Sequence, residues 1–302
     1  MNEQQTETKF AFACITGAPN VGKSSLLNNI LGQKVAIVTP KPQTTRTTIL
    51  GIHTDNNIQI AFTDTPGLLL PKDALSRNMV KSIQNAASGS DIVILVVEAG
   101  KKPKPAEISV IENLKKQKLP AILVINKIDL LKQKELMIPQ MDVFSKLYLF
   151  NEILPVSAVT GYGVKDILTA VSKLAKPGPF LYDPEELTDQ PERVICAEYI
   201  REQILIFMQQ EVPHGIAVVI ERFEETPEGI DADANIYCER ESHKGMLIGK
   251  NGQMLKQIRK SAQNTLKQFF GVSVTLELWV KVKPDWRENE ALIKNFGLNF
   301  EG

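Results

Sequence analysis

The chain has 302 residues, enough for two domains, and its 43% hydrophobic and 23% charged residues are the balance of an ordinary globular protein. Lysine plus arginine equals aspartate plus glutamate at 35 each, which excludes a global basic footprint, so any nucleic-acid surface must be local. Dispersed cysteines (Cys14, Cys196, Cys238) and histidines (His53, His214, His243) argue against a disulfide framework or a zinc site and predict buried thiols in a reducing compartment. The polar N-terminus lacks a signal-peptide core, and no apolar run approaches the roughly 18–20 residues of a membrane span. The expectation is a cytoplasmic protein.

Residues 9–176 alternate short apolar runs with helical patterns, which predicts an α/β domain with a mostly parallel, six-stranded sheet. Strands are expected at 10–16, 47–53, 58–63, 91–97, 121–126 and 153–156, with Asp55-Asn56-Asn57 turning a hairpin between the second and third. Helices are expected at 24–31, 74–88, 105–117, 135–149 and 163–175. Such sheets bind ligands at the carboxyl ends of their strands. Each motif below lies at such an end.

The first strand runs into Gly17-Ala18-Pro19-Asn20-Val21-Gly22-Lys23-Ser24, with Ser25 opening the next helix. The spacing fits the phosphate loop G-x-x-x-x-G-K-[ST]. Glycines let the backbone curl so that successive N–H groups and the helix N-terminus face phosphate oxygens. Lys23 brings positive charge to the β- and γ-phosphates, and the Ser24 hydroxyl is a Mg²⁺ ligand. Loop 40–48 is polar and proline-marked. It reads either as a plain surface loop or as a switch whose threonine completes the magnesium shell; Thr45 is the chosen ligand, with Thr44 beside it.

Asp64-Thr65-Pro66-Gly67 ends the third strand. The carboxylate suits a water-mediated Mg²⁺ contact, and the Gly67 N–H suits the γ-phosphate. Asn126-Lys127-Ile128-Asp129 follows the fifth strand. The Asp129 carboxylate accepts both N1–H and the N2 amine of guanine, a donor pair that adenine lacks. Leaving it unpaired costs about the 10³-fold or greater discrimination of a buried polar site. The Lys127 stem lies over the base, Asn126 ties this loop to the phosphate loop, and Ser157-Ala158 supplies an N–H for guanine O6.

These ordered motifs resemble translation-factor-class regulatory GTPases, and Gln43-Thr44-Thr45-Arg46 with the Asp64–Gly67 turn narrows the likeness to the Era family. Two features depart from the Ras-like pattern. Leu68 stands where many GTPases carry a glutamine that orients the attacking water, and leucine offers no hydrogen bond. Asn20 either shapes the loop or, as in similar GTPases, helps to hold a K⁺ that does the work of an arginine finger. Slow intrinsic hydrolysis follows, with Lys23, Thr45, Gly67 and Asn20 as the catalytic group.

Residues 177–191 are proline-rich and read as a semi-rigid linker between a first domain, 8–176, and a second, 192–285. The second reads as helix 193–211, strands 215–223 and 232–240, a helix–turn–helix, and strand 272–283. Its turn is Gly249-Lys250-Asn251-Gly252, where two glycines allow a nucleic-acid backbone to approach closely. Arg240, Lys244, Lys250, Lys256, Arg259, Lys260 and Lys267 surround it, with Glu241 the main opposing charge. Gly249, Lys250, Asn251, Gly252, Lys244, Lys256 and Arg259 are the expected contacts to single-stranded RNA. A plain helix-joining turn remains the alternative.

The element order resembles a type II KH domain, and with it the Era-family likeness extends over nearly the whole chain. That resemblance implies GTP hydrolysis with GTP/GDP and Mg²⁺, and binding of 16S ribosomal RNA near its 3′ end. It also implies a role in maturation of the 30S ribosomal subunit and weak peripheral association with the inner membrane; a monomer is the expected state. The rival is an RNA-binding assembly chaperone with structural nucleotide. Residues 286–302 read as a tail, a docking peptide or part of the KH edge.

Overall fold

The computed structural model describes residues 7–41, 43–68, 71–133, 135, 137–208 and 215–298. The chain divides into two compact units: Met1–Ala36, Thr45–Leu70 and Met79–Asp189 form the first, and Ile37–Thr44, Pro71–Asn78 and Gln190–Gly302 the second.

In the first unit, β1 (Lys9–Gly17), β2 (Ile49–Asp55), β3 (Ile58–Asp64), β4 (Ile92–Glu98), β5 (Ala121–Asn126), β6 (Glu152–Pro155) and β7 (Lys176–Pro177) make one sheet. Its order is β2-β3-β1-β4-β5-β6, all parallel except β2, which pairs antiparallel with β3. Asn56, at φ 51°, turns the hairpin where the Asp55-Asn56-Asn57 signal placed it. The helices are α1 (Lys23–Leu31), α2 (Ala74–Ser88), which belongs to this unit from Met79 onward, α3 (Pro105–Gln117), α4 (Met137–Leu147) and α5 (Val164–Leu174). The predicted start of α4 near 135 runs into residues 134 and 136, which lie outside the described set.

Strands β4 and β5 are almost unbroken runs of Ile, Leu and Val because both faces are covered. One face packs Ile15, Ile94, Val96 and Val124 against Leu26 and Leu27 of α1 and Ile167 and Val171 of α5. The other packs Cys14, Val93, Leu95 and Leu123 against Ile111 and Leu114 of α3 and Phe144 of α4. This double cover fixes the strand ends, and with them every loop that carries a motif.

Two expectations are corrected here. The sheet gains a two-residue seventh strand, because β7 pairs antiparallel with Lys9 and Phe10 at the start of β1. The segment that follows is tied down rather than acting as a spacer. Ile52 N–H donates to the Leu187 carbonyl at 2.9 Å, the Thr188 hydroxyl donates to the Leu50 carbonyl at 2.6 Å, and Gln59 bonds both Leu181 and Tyr182.

In the second unit, α6 (Glu192–Phe207), β8 (Ala217–Thr226), β9 (Gly229–Cys238), α7 (Glu241–Ile248), α8 (Gln253–Phe270) and β10 (Val274–Val282) follow in the predicted order. Helix α6 stops at Phe207, short of the predicted 211, because Met208 is already extended; residues 209–214 lie outside the described set. The sheet order is β10-β9-β8, with β10 parallel and β8 antiparallel to β9. Strict alternation buries Val274, Leu276 and Leu278 on β10 against the α6 and α8 core of Tyr199, Ile200, Ile258 and Leu266.

The chain does not trail away after β10. Trp286 is fully buried, its indole N–H donates to the Gly215 carbonyl at 2.9 Å, and Phe296, just after α9 (Glu290–Asn295), stacks on Tyr237 at 4.4 Å between centroids. As far as 298, the predicted tail is part of the second unit's body. Residues 299–302 lie outside the described set.

Candidate functional site

The end of β1 turns into the loop 17–22, and α1 starts at Lys23. The Lys23 ammonium is buried and donates to the Gly17 and Ala18 carbonyls at 3.2 Å. Burial pushes its pKa down to about 8, against the opposing pull of Asp64. A cation held in that way at a helix N-terminus is primed for an anion.

At the next residue, the Ser24 hydroxyl donates to Asp64 Oδ2 at 2.6 Å and lies 2.8 Å from Thr45 Oγ1. Asp64 is fully buried, and burial raises its carboxyl to about 6. Its other oxygen, Oδ1, is buried with no hydrogen-bond partner among the described residues. Two hydroxyls and a carboxylate with one orphaned oxygen, gathered at one point, are a hard-oxygen donor set, which fits Mg²⁺. The neighbouring Thr44 hydroxyl is engaged in its own loop, 2.7 Å from Thr39 Oγ1 and donating to the Lys41 carbonyl at 2.8 Å.

Thr65 closes the Asp64–Leu68 turn onto β1: its N–H and hydroxyl both donate to the Ile15 carbonyl. Leu68 N–H donates to the Gly17 carbonyl at 3.1 Å, so Pro66 and Gly67 are held against the phosphate loop. Asn20 is exposed at φ 62°, beside Pro19. Ser25 follows Ser24 on the first turn of α1.

Asn126, at the end of β5, joins three loops. Its Nδ2 donates to the Val21 carbonyl at 2.8 Å, and its Oδ1 accepts from the Ala158 N–H at 2.9 Å. Lys127 adopts φ 67° and sits 3.6 Å from Glu98. Asp129 lies exposed on the short turn Ile128–Leu130, and Ser157 closes a turn with Tyr162. The structure therefore brings residues 17–25, Thr45, 64–68, 126–129 and 157–158 to one rim of the sheet. Glu98 escaped sequence reading; its only signal was its place at the end of β4, beside the site.

The second unit carries a separate feature. Helix α7 ends at Gly249 (φ 70°), Asn251 is left-handed at φ 53°, and α8 begins after Gly252. A Cβ on Gly249 would lie 2.6 Å from Met254 Cβ, so the turn needs glycine to close, whereas nothing among the described residues stands within 4 Å of one on Gly252. Lys250, Asn251 and Lys256 are exposed, and Lys244 is half-buried. Arg259 is paired with Glu277 of β10 at 3.2 Å, so the opposing charge on this face is Glu277 as well as Glu241. Among the described residues no cluster of three or more His, Cys, Asp or Glu could hold a metal ion, and no helix is long and apolar enough to cross a membrane.

Comparison with known proteins gives the same two halves. Residues 12–127 match the family model of 50S ribosome-binding GTPases, and 211–287 match the KH domain model. The chain is 44% identical to the GTPase Era of Clostridioides difficile over 96% of its own length and 99% of that protein's. It is 45% identical to the GTPase Era of Caldanaerobacter subterraneus over 95% and 96%. An Aquifex aeolicus Era variant bound to GDP and AlF₄⁻ superposes with a TM-score of 0.93 at 36% identity, over 97% of this chain and all of that one. A structure of Era with MgGDPNP and nucleotides 1506–1542 of 16S ribosomal RNA superposes with the same score and identity, over 97% and 99%.

Proposed function

The chain belongs to the Era family of GTPases, and from that premise we propose a GTP-hydrolysing switch that clamps the 3′ region of 16S ribosomal RNA in its KH domain during 30S subunit maturation. The likeness to an Era structure holding both a GTP analogue and that RNA carries this reading. The chaperone reading is set aside, since the relatives are GTPases by name.

Residues 8–176 are the G domain, 192–285 the KH domain, and 177–191 the connection. Lys23 and the loop amides neutralise phosphoryl charge. Ser24 and Thr45 ligate Mg²⁺, with Asp64 acting through water; the gathered hydroxyls and the free Asp64 oxygen support that assignment. Bound Mg²⁺ supplies charge to the β- and γ-phosphates. Asp129 reads guanine, with Lys127 along the base and the Ala158 N–H on O6. Gly67 contacts the γ-phosphate, and Asn20 helps to hold a K⁺ that stands in for an arginine finger. Leu68 cannot orient water, so catalysis is positioning and electrostatics. The two glycines, Asn251 and the lysines 244, 250 and 256 hold RNA phosphates, with Arg259 at the margin. The protein acts as a monomer in the cytoplasm, with a fraction held peripherally at the inner membrane.

The test is titration of a single-stranded RNA matching the 3′ end of 16S ribosomal RNA against the protein with GDP or a non-hydrolysable GTP analogue. Tighter binding with the analogue, lost in Gly252→Asp, is expected. Equal binding in both states would overturn the switch, because a ligand with equal affinity for two states shifts nothing.

A further inference from the structure

Between α2 and α3 the first unit encloses a cavity of about 550 Å³ that the nucleotide reading does not use. That volume falls in the range of small-molecule sites, about 300–1,000 Å³. Its walls are aliphatic, chiefly Ile83, Val93, Val110 and Leu114. Exposed polar groups such as Gln84 and Asn113 mark its rim.

A second observation points to a ligand. Thr16 also lines the cavity, is 1% exposed, and its hydroxyl has no hydrogen-bond partner among the described residues. On β1, Thr16 alternates with Ile15 and shares the face of Cys14, the face that α3 covers. A buried hydroxyl without a partner is costly in an apolar wall. It becomes favourable when a bound molecule completes the bond. Leu68 and Pro19 form another part of the wall, so an occupant touches both segments that flank the phosphate site.

We propose that this cavity is an effector site for an uncharged, largely apolar molecule carrying one hydrogen-bond donor, and that its occupancy changes the rate of GTP hydrolysis. The donor bonds Thr16 Oγ1, and the apolar body fills the space between α2 and α3. The effector role rests on the GTPase reading; the binding site does not.

Indole and indene are suitable probes, being equal in shape but differing in the N–H. Titrating each into full-length, GDP-loaded protein with ¹³C-methyl labels should shift the methyl signals of Ile83, Val93 and Val110. Indole should bind several-fold tighter than indene. Thr16→Val should abolish that preference while leaving indene affinity unchanged. Filling the space with Ala87→Trp, or with Ala106→Phe should the first fold poorly, should remove binding of both. Absence of methyl shifts with either probe, or an indole preference that survives Thr16→Val, would overturn the site. GTP turnover is then measured with and without saturating indole. A change of twofold or more, absent in the filled variant, supports the effector role, and bound indole with unaltered turnover refutes it.

Discussion

The Ser24 hydroxyl and Asp64 Oδ2 lie 2.6 Å apart at the buried junction of α1 and β3. Burial raises the Asp64 carboxyl from 3.8 to about 6. Between those values the folded protein binds a proton that the unfolded chain has released, so stability falls as pH rises from about 4 to about 6. The full effect of a shift of that size is roughly 3 kcal/mol. Thermal unfolding of nucleotide-free protein across this window should show the decline, and Asp64→Asn should flatten it. Because Asp64 must be deprotonated to hold the metal's water, Mg²⁺-nucleotide affinity should weaken about tenfold per pH unit below about 6.

Asn126→Ala should loosen three loops at once. It orphans the buried Val21 carbonyl and Ala158 N–H, at about 1–3 kcal/mol for each unsatisfied group. The melting temperature and guanine-nucleotide affinity should both drop, the latter by tenfold or more. A loss of affinity with unchanged melting would place Asn126 in contact with nucleotide alone.

The two glycines of the RNA turn should fail differently. Gly249→Ala drives a Cβ into Met254 and should lower the melting temperature clearly. Gly252→Ala meets no atom within 4 Å and costs only the left-handed backbone strain, about 1–2 kcal/mol. Gly252→Asp should therefore leave a folded protein that has lost RNA affinity. Urea unfolding beside RNA titration separates the two effects.

Trp286→Ala should destabilise the second unit by about 3–5 kcal/mol, the usual cost of emptying an aromatic core position. It also strands the Gly215 carbonyl. Urea unfolding followed by the remaining tryptophan, Trp279, reports it. An unchanged midpoint would show that the segment after β10 adds nothing to the fold.

The nucleotide motifs were legible because each is a local string at a strand end, and double burial wrote β4 and β5 as plain apolar runs. What escaped reading depends on partners distant in sequence. Trp286 is a lone aromatic with no periodic neighbours, so nothing local announces that it plugs a core. Leu187 stands among prolines and acids, and only its bond to Ile52 reveals that the segment is fixed. The Arg259–Glu277 pair needs the placement of α8 against β10 to be known. Thr44 and Thr45 were separable only once the hydroxyl of each had a partner.

Strand β2 is the open margin of the seven-stranded sheet, and bare margins of this kind invite pairing with a second chain. The Leu187 carbonyl and Thr188 hydroxyl occupy the Ile52 N–H and Leu50 carbonyl that a foreign strand would seek. The connecting segment is therefore also a guard against self-association. A G domain cut at residue 176 should aggregate on concentration, one cut at 189 should stay dispersed, and light scattering of the two fragments would tell them apart.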